Sequence, residues 1–297
     1  VKRGAVLVLA VGLAAGCRKT PPADANPAPS SSAVVNAPKC AAPALRTTLE
    51  PGMVVDRYLS PVASSTGLGD RCVTIVRIDP TKFTVQLHTA QAEGGARTAP
   101  TWGKDAKLSA VLNASMYGED GRSVGLLVAR GANNNGGDNK KLGGFFAWDP
   151  VTPGTPPVFA TGRDCAGFDL DDLRKRYRGV VQNYRLLDCE QKPIAWQDPK
   201  LFSAAVLGTD RKGNVVFAHA RTPWSMTELA RILAAPELEL ASAMHVEGGP
   251  EASLWVASPG GGAAVAEMGS FESGFLGSDE NRDFWSIPNV IGVARNP

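Results

Sequence analysis

Short apolar runs cut off by Gly, Pro, Asn or Asp recur from Arg71 to the end of this chain, and that punctuation constrains the fold more than any other feature. "RCVTIVRIDP" and "TKFTVQLHTA" alternate apolar and polar residues around "DPTK", which reads as a hairpin. "KLSAVLNASMYGEDGRSVGLLVARG" gives a buried strand, a polar turn around Glu119 to Arg122, and a second strand. "GANNNGGDNKK" reads as a mobile loop and "GGFFAWDP" with "PPVFATG" as a strand pair. "VVQNYRLLD", "SAAVLGTD", "NVVFAHA" and "SIPNVIGVARNP" supply further strands. Helix signals are confined to two stretches. "DLDDLRKRYRG" has acids in its first turn, bases in its last and a glycine after them. "SMTELARILAAP" pairs Ser225 with Glu228 as a capping box, spaces Met226, Leu229, Ile232 and Leu233 along one face, and stops at Pro236. Many strands and few helices, not strictly alternating, predict an α+β single domain with a mixed, mostly antiparallel β-sheet core packed by a few helices.

The ends and the charge bound the setting. "VKRGAVLVLAVGLAAGC" joins a cationic head at Lys2 and Arg3 to an apolar stretch too short to span a bilayer, as a secretory signal does. "LAAGC" resembles the lipobox of bacterial lipoproteins, with Ala14 where leucine is usual, so residues 1–16 read as a signal peptide and Cys17 as the lipidated residue. Residues 17–44, rich in Pro, Ala and Ser, bury too little apolar surface to offset their ordering entropy and read as a tether. Residues 45–297 read as the folded domain, lipid-anchored in a bacterial cell envelope on its periplasmic or outer-membrane side. Lys2 and Arg3 leave with the leader, which brings 31 basic residues to parity with 29 acidic ones. A chain without net charge has no global attraction for nucleic acid or anionic lipid, so the expected membrane contact is the lipid alone. With Cys17 lipidated, Cys40, Cys72, Cys165 and Cys189 remain, an even number for an oxidising compartment. Of three possible pairings, the local one, Cys40 with Cys72 and Cys165 with Cys189, is expected.

One apolar run is interrupted in its middle. "AMHVEGGPEASLWV" places Glu247, Gly248, Gly249, Pro250 and Glu251 between two apolar flanks, and reads as a strand, a tight turn, then a strand or helix. A polar turn between two strands explains the composition equally well, so the order of the other segments has to decide.

That order is informative. "VLNASMYGEDGRSVGLLVARG", "GGFFAW", "VVQNYRLL", "AAVLGTDRKGNVVFAHA", "SMTELARILAAPELELASAMHVEGG" and "IGVA" follow one another as in the phosphodiester glycosidase family, which the chain resembles over roughly Leu108 to Gly292. The resemblance implies cleavage of a sugar from a phosphodiester, leaving a phosphomonoester. Such chemistry uses a carboxylate for acid/base work, and amides and cations to hold sugar and phosphate. The resemblance maps Asn113 onto a strand-end Asn, Gln182 and Asn183 onto a middle polar pair, and Glu247, Gly248 and Gly249 onto an acidic diglycine turn. Glu247 is thus the expected catalytic residue, and the glycines are expected to let substrate approach the backbone. The chain departs from the pattern in having Glu247 for Asp, Pro250 and Glu251 after the diglycine, and Ala204 and Ala205 where a polar or cationic residue is common. Those departures leave a second reading: a catalytically degenerate lipoprotein that binds glycan or an envelope protein partner.

Other residues are assigned by position. His245 shares the strand parity of Glu247 and is expected beside it, tuning its pKa. His219 reaches toward the same rim, Arg185 and Arg221 are the candidate phosphate cations, and Tyr117 and Trp224 are candidate sugar-stacking faces. Three histidines without ligand spacing predict no metal centre, and no cofactor is implied. No nucleophile elbow is present, which disfavours a serine hydrolase.

Overall fold

The alternating segments resolve into two sheets rather than one. The structure is a computed structural model that describes residues 40–297; the leader, Cys17 and the tether up to residue 39 lie outside the described residues. In chain order the first half contains β1 (Leu45–Glu50), β2 (Met53–Leu59), β3 (Cys72–Ile78), β4 (Phe83–Thr89), α1 (Ala90–Glu93), α2 (Ala99–Asp105), β5 (Ala110–Asn113), β6 (Leu127–Ala129), β7 (Ala132–Asn135), β8 (Gly144–Pro150) and β9 (Val158–Gly162). The second half contains α3 (Leu170–Arg176), β10 (Tyr177–Arg185), β11 (Leu201–Asp210), β12 (Val215–Ser225), α4 (Met226–Leu233), β13 (Leu240–Gly248), β14 (Ser253–Ala257), β15 (Ala263–Met268) and β16 (Asn289–Arg295).

The larger sheet runs β1-β2-β3-β12-β11-β13-β10-β6-β7, with β8 and β9 branching from β10; the smaller runs β15-β14-β5-β16-β4. Every ladder between named strands is antiparallel, so the sheet is not mixed, and with α4, at eight residues, the longest α-helix among the described residues, the fold is richer in β structure than an α+β label implies. The sheets pack face to face through one core that takes Val76, Phe217, Leu207 and Val246 from one side and Phe83, Leu112, Leu254 and Ile291 from the other. Burying both faces of the larger sheet explains why β11 and β12 read as nearly continuous apolar runs. On its outer face α4 buries Leu229 and Leu233 against Ile75, Val206 and Val216. The Ser225–Glu228 capping box forms as expected. Trp102 of α2 caps the smaller sheet against Val111 and Trp255.

Two local expectations fail for one reason each. β3 and β4 do not form a hairpin: Asp79 O accepts from Lys82 N and Phe83 N, and the chain passes from the larger sheet to β16 of the smaller one. Val76 and Ile78 of β3 and Phe83 and Val85 of β4 face the core between the sheets, which pairing with each other would not achieve. The Gly/Asn stretch is not a loose loop. Its first part is β7, and the buried Gln182 holds the segment after that strand, its Oε1 accepting from Leu126 N and Asn139 N and its Nε2 lying 2.9 Å from Asp138 Oδ1.

Cys40 pairs with Cys72 and Cys165 with Cys189, the local connectivity. The first disulfide and the backbone bond from Leu59 N to Ala41 O attach residues just before β1 to the sheet. Among the described residues no helix is long and apolar enough to cross a membrane.

Candidate functional site

The chain changes sheets at two places that carry named site residues: between β5 and β6, and between β13 and β14. One side chain joins them. Asn113 at the end of β5 donates from Nδ2 to Glu251 O (3.0 Å) and accepts from Ser253 N at Oδ1 (2.7 Å), so its amide clamps the turn after Glu247. The turn is tight because Gly249 sits at φ +70°, where a side chain is strained. Space is closed as well: a Cβ on Gly249 would lie 2.6 Å from Glu272 Oε2 and 3.5 Å from Glu251 Oε2. The groups that come close to the diglycine backbone in this structure are therefore the protein's own: Gly269 and Glu272 at Gly249, and the Phe202 and His245 rings at Gly248. Gly269 N donates to Ala252 O (2.7 Å), and a side chain at Gly269 would collide with Gly249 O.

Glu247 is half-buried and its Oε1 accepts from Gly248 N (3.0 Å). Across the larger sheet it pairs with Ala205, which pairs with His219, then Thr74, then Arg57. Paired residues share a face, so these side chains form one row on the inner face at the end of the strands. The row is closed from the smaller sheet: Glu267 accepts from Arg57 Nη1 (2.9 Å) and Thr74 Oγ1 (2.8 Å), and His219 Nε2 lies 3.3 Å from Ala252 O. Burial holds His219 below its ordinary pKa, partly offset by Glu267.

Tyr117, half-buried beyond Asn113, has its phenol pKa pushed up by burial and then by the negative fields of Glu247 and Glu251, so it stays a protonated donor. Three carboxylates, Glu247, Glu251 and Glu272, thus gather at the turn with one phenol. Two residues after Asn113, and on β10, two buried polar atoms have no protein partner: Ser115 Oγ and Asn183 Oδ1, while Asn183 Nδ2 donates to Ala114 O (3.1 Å).

Other assigned residues lie elsewhere. His245 does not sit beside Glu247, because a bulge in β13 lets His245 pair with Val206 and Glu247 with Ala205, two neighbours that face opposite ways. Its imidazole packs against Trp196 and Phe202 on the outer side, its two nitrogens are unpartnered, and burial alone lowers its pKa to about 4. Gln182 is buried and occupied in holding residues 138–142. Asp138 in that clamp, despite burial, is drawn down to about 2 by hydrogen bonds from Arg163, Lys140 and Gln182. Arg221 ion-pairs with Asp279 (2.6 Å) and donates to Met268 O, and Trp224 is fully buried, so neither presents a ligand face. Arg185 lines a cavity that Glu247 does not line. Cys17 lies outside the described residues.

Arg57, Thr74, Glu267 and Glu272 carry no signal in the sequence that singles them out. Glu251 carries a visible signal, a charge two residues after the diglycine; Glu272 carries none, since the bridge between Phe202 and Glu272 brings it in.

Two face-to-face antiparallel sheets with a carboxylate turn at a sheet crossing define a β-rich domain. Residues 106–294 match the phosphodiester glycosidase family, and the chain belongs to that family. Among solved structures it is similar to the zebrafish N-acetylglucosamine-1-phosphodiester alpha-N-acetylglucosaminidase catalytic domain auto-inhibited by its pro-peptide, at TM-score 0.58 and 15% identity over 83% of this chain and 85% of that one. It is equally similar to a hypothetical protein from Synechocystis, at TM-score 0.58 and 13% identity over 84% of this chain, and spans 63% of that protein's length. At these identities the likeness is one of fold. No curated protein matches the chain.

Proposed function

We propose that the protein is an envelope-anchored hydrolase, lipidated at Cys17, that cleaves a sugar from a phosphodiester. Two disulfides fit an oxidising compartment. The observation that carries the reading is the Glu247 carboxylate, half-buried at a sheet crossing, held by Gly248 N–H and sharing Tyr117 with a second carboxylate, Glu251. In this reading Glu247 is the acid/base group for attack at the sugar carbon. Tyr117 donates a hydrogen bond to substrate, Asn183 and the Ser115 hydroxyl offer polar atoms to sugar or ordered water, and Gly248 and Gly249 fix the carboxylate's position with Asn113 behind them.

A second reading, a degenerate relative that binds glycan or an envelope protein, is favoured by one observation. The cross-strand partners of Ala204 and Ala205 are Ala220, Gly248, His219 and Glu247, so none of these neighbours is the arginine or asparagine common at this place in the family. Hydrolysis of a panel of sugar phosphodiesters by wild type and Glu247→Gln separates the two. The first reading expects release that falls by roughly 100-fold or more in the variant, the scale of a lost acid/base group. Equal release from both proteins would remove the catalytic assignment; saturable binding without release from either would support the second reading.

A further inference from the structure

A cavity of about 460 Å³ opens at the far end of β10, within the size range of small-molecule sites. Lys141, Arg163 and Arg185 line it, with Asp164 as the one acid, and Tyr184 and Trp196 form an aromatic wall.

Arg185 is built into place. The residue is 9% exposed, and its side chain passes Gly144 and Gly162, where no side chain fits: a Cβ on Gly144 would lie 2.7 Å from Arg185 Cγ, and one on Gly162 would fall within the guanidinium. Arg185 Nε donates to Leu187 O (3.1 Å), and the Cys165–Cys189 disulfide ties together the two segments that flank the guanidinium. Its ion-pair partner is the Asp164 carboxylate, whose side chain is 69% exposed against 8% for Arg185. A buried cation thus relies on a counter-ion on the solvent side, which an incoming anion can displace. Arg163 adds a second guanidinium, matched through Nη2 by Asp138 but with a buried Nε that has no partner. The aromatic wall is equally fixed. Tyr184 and Trp196 have ring centroids 4.8 Å apart, the indole N–H donates to Arg185 O (3.1 Å), and Thr227 Oγ1 accepts from Trp196 N (2.8 Å).

We infer that this cavity is a binding site for an anionic sugar, whose ring lies on Trp196 and Tyr184 and whose phosphate or carboxylate is received by Arg185, Arg163 and Lys141. Flat apolar faces suit the ring, and fixed guanidinium donors suit the anion. The site does not depend on the Glu247 chemistry, and it needs no reaction.

Calorimetric titration of the full-length protein with glucose 6-phosphate, glucuronate, glucose and inorganic phosphate tests this. At least one of the two anionic sugars should bind saturably and at least roughly tenfold tighter than either glucose or phosphate alone, since it makes both sets of contacts. Which of the two binds distinguishes phosphate from carboxylate. Arg185→Met and Trp196→Leu should each weaken binding about tenfold or more. Asp164→Asn, an exposed change that removes the competing carboxylate, should tighten it several-fold; this gain cannot arise from misfolding. Glu247→Gln should leave the affinity unchanged whether or not the protein hydrolyses phosphodiesters. Absence of binding by both anionic sugars, binding of phosphate as tight as that of the sugar phosphate, no tightening in Asp164→Asn, or loss of binding in Glu247→Gln would each overturn the assignment.

Discussion

Two charged regions of the larger sheet are organised in opposite ways. On its outer face Asp56 accepts from Arg46 (2.6 and 2.8 Å) and from Arg77 Nε (2.7 Å), while Arg77 also donates to Asp210 (3.0 Å) and Leu238 O (2.5 Å). Asp210 in turn accepts from Asn214. Charges balance there, and each of these groups is matched. At the turn after β13 three carboxylates gather around Gly249 and Tyr117, and Ser115 Oγ and Asn183 Oδ1 go unpartnered. Buried polar groups are costly unless satisfied, so the first region contributes to specifying the fold, while the second carries a cost that the proposed function would account for.

The contrast breaks most decisively at Arg77. Arg77→Ala leaves Asp210 buried without its cation and Asp56 with Arg46 alone, and should cost about 3–5 kcal/mol. Glu247→Gln should leave stability near wild type. Urea unfolding of both variants checks this, and similar losses from the two would erase the distinction between the regions.

Acid sharpens it further, because the regions respond in different windows. His245, on the outer side behind the turn, titrates at about 4 when folded against 6.5 when unperturbed, because burial disfavours its cation. Between those values the unfolded chain binds a proton that the native state does not. Stability therefore rises with pH through this window and is lost as pH falls, by roughly 3 kcal/mol in full. His219, also lowered by burial, acts in the same direction. Asp56 behaves differently. Burial opposes its ionisation, but hydrogen bonds from Arg46 and Arg77 prevail and hold its pKa below 3.8, so its contribution is complete above that value and disappears only below it. Urea midpoints between pH 7.5 and 4.5 should fall in wild type and fall much less in His245→Leu. An unchanged slope in the variant would show that His245 does not carry the upper window.

How much of this is legible in the sequence depends on whether the information is local. The capping box of α4, the strand containing Met244 and Val246, the tight turn at Gly249 and the pairing of the cysteines depend on short sequence patterns, and these form as expected. The misplacement of His245 comes from assuming unbroken alternation, and no residue type announces the bulge opposite Ala205 and Val206. Asn113 lies at the expected strand end, but its amide bonds to Glu251 and Ser253, some 140 residues later in the chain, which no local pattern specifies. The row from Arg57 to Glu247 is illegible for the same reason: it exists only in the register of five strands. Pairing β3 with β4 fails because a short turn can join two sheets as easily as two neighbouring strands.

The smallest expected effect is the most discriminating. Ser115 Oγ is buried and bonds to nothing in the protein, so Ser115→Ala breaks no hydrogen bond and removes a group that was desolvated without compensation. Stability should change by no more than about 0.5 kcal/mol, the range of substitutions that disturb no packing or pairing. If the hydroxyl holds a water or a sugar group beside Glu247, the same variant should lower kcat/KM by several-fold or more on any sugar phosphodiester that the proposed activity test finds wild type to cleave. A matched region responds the other way, since any truncation there costs stability first. Ser115→Ala with a large loss of stability would mean that this hydroxyl is partnered in solution, and that the turn after β13 is as fully matched as the network around Arg77.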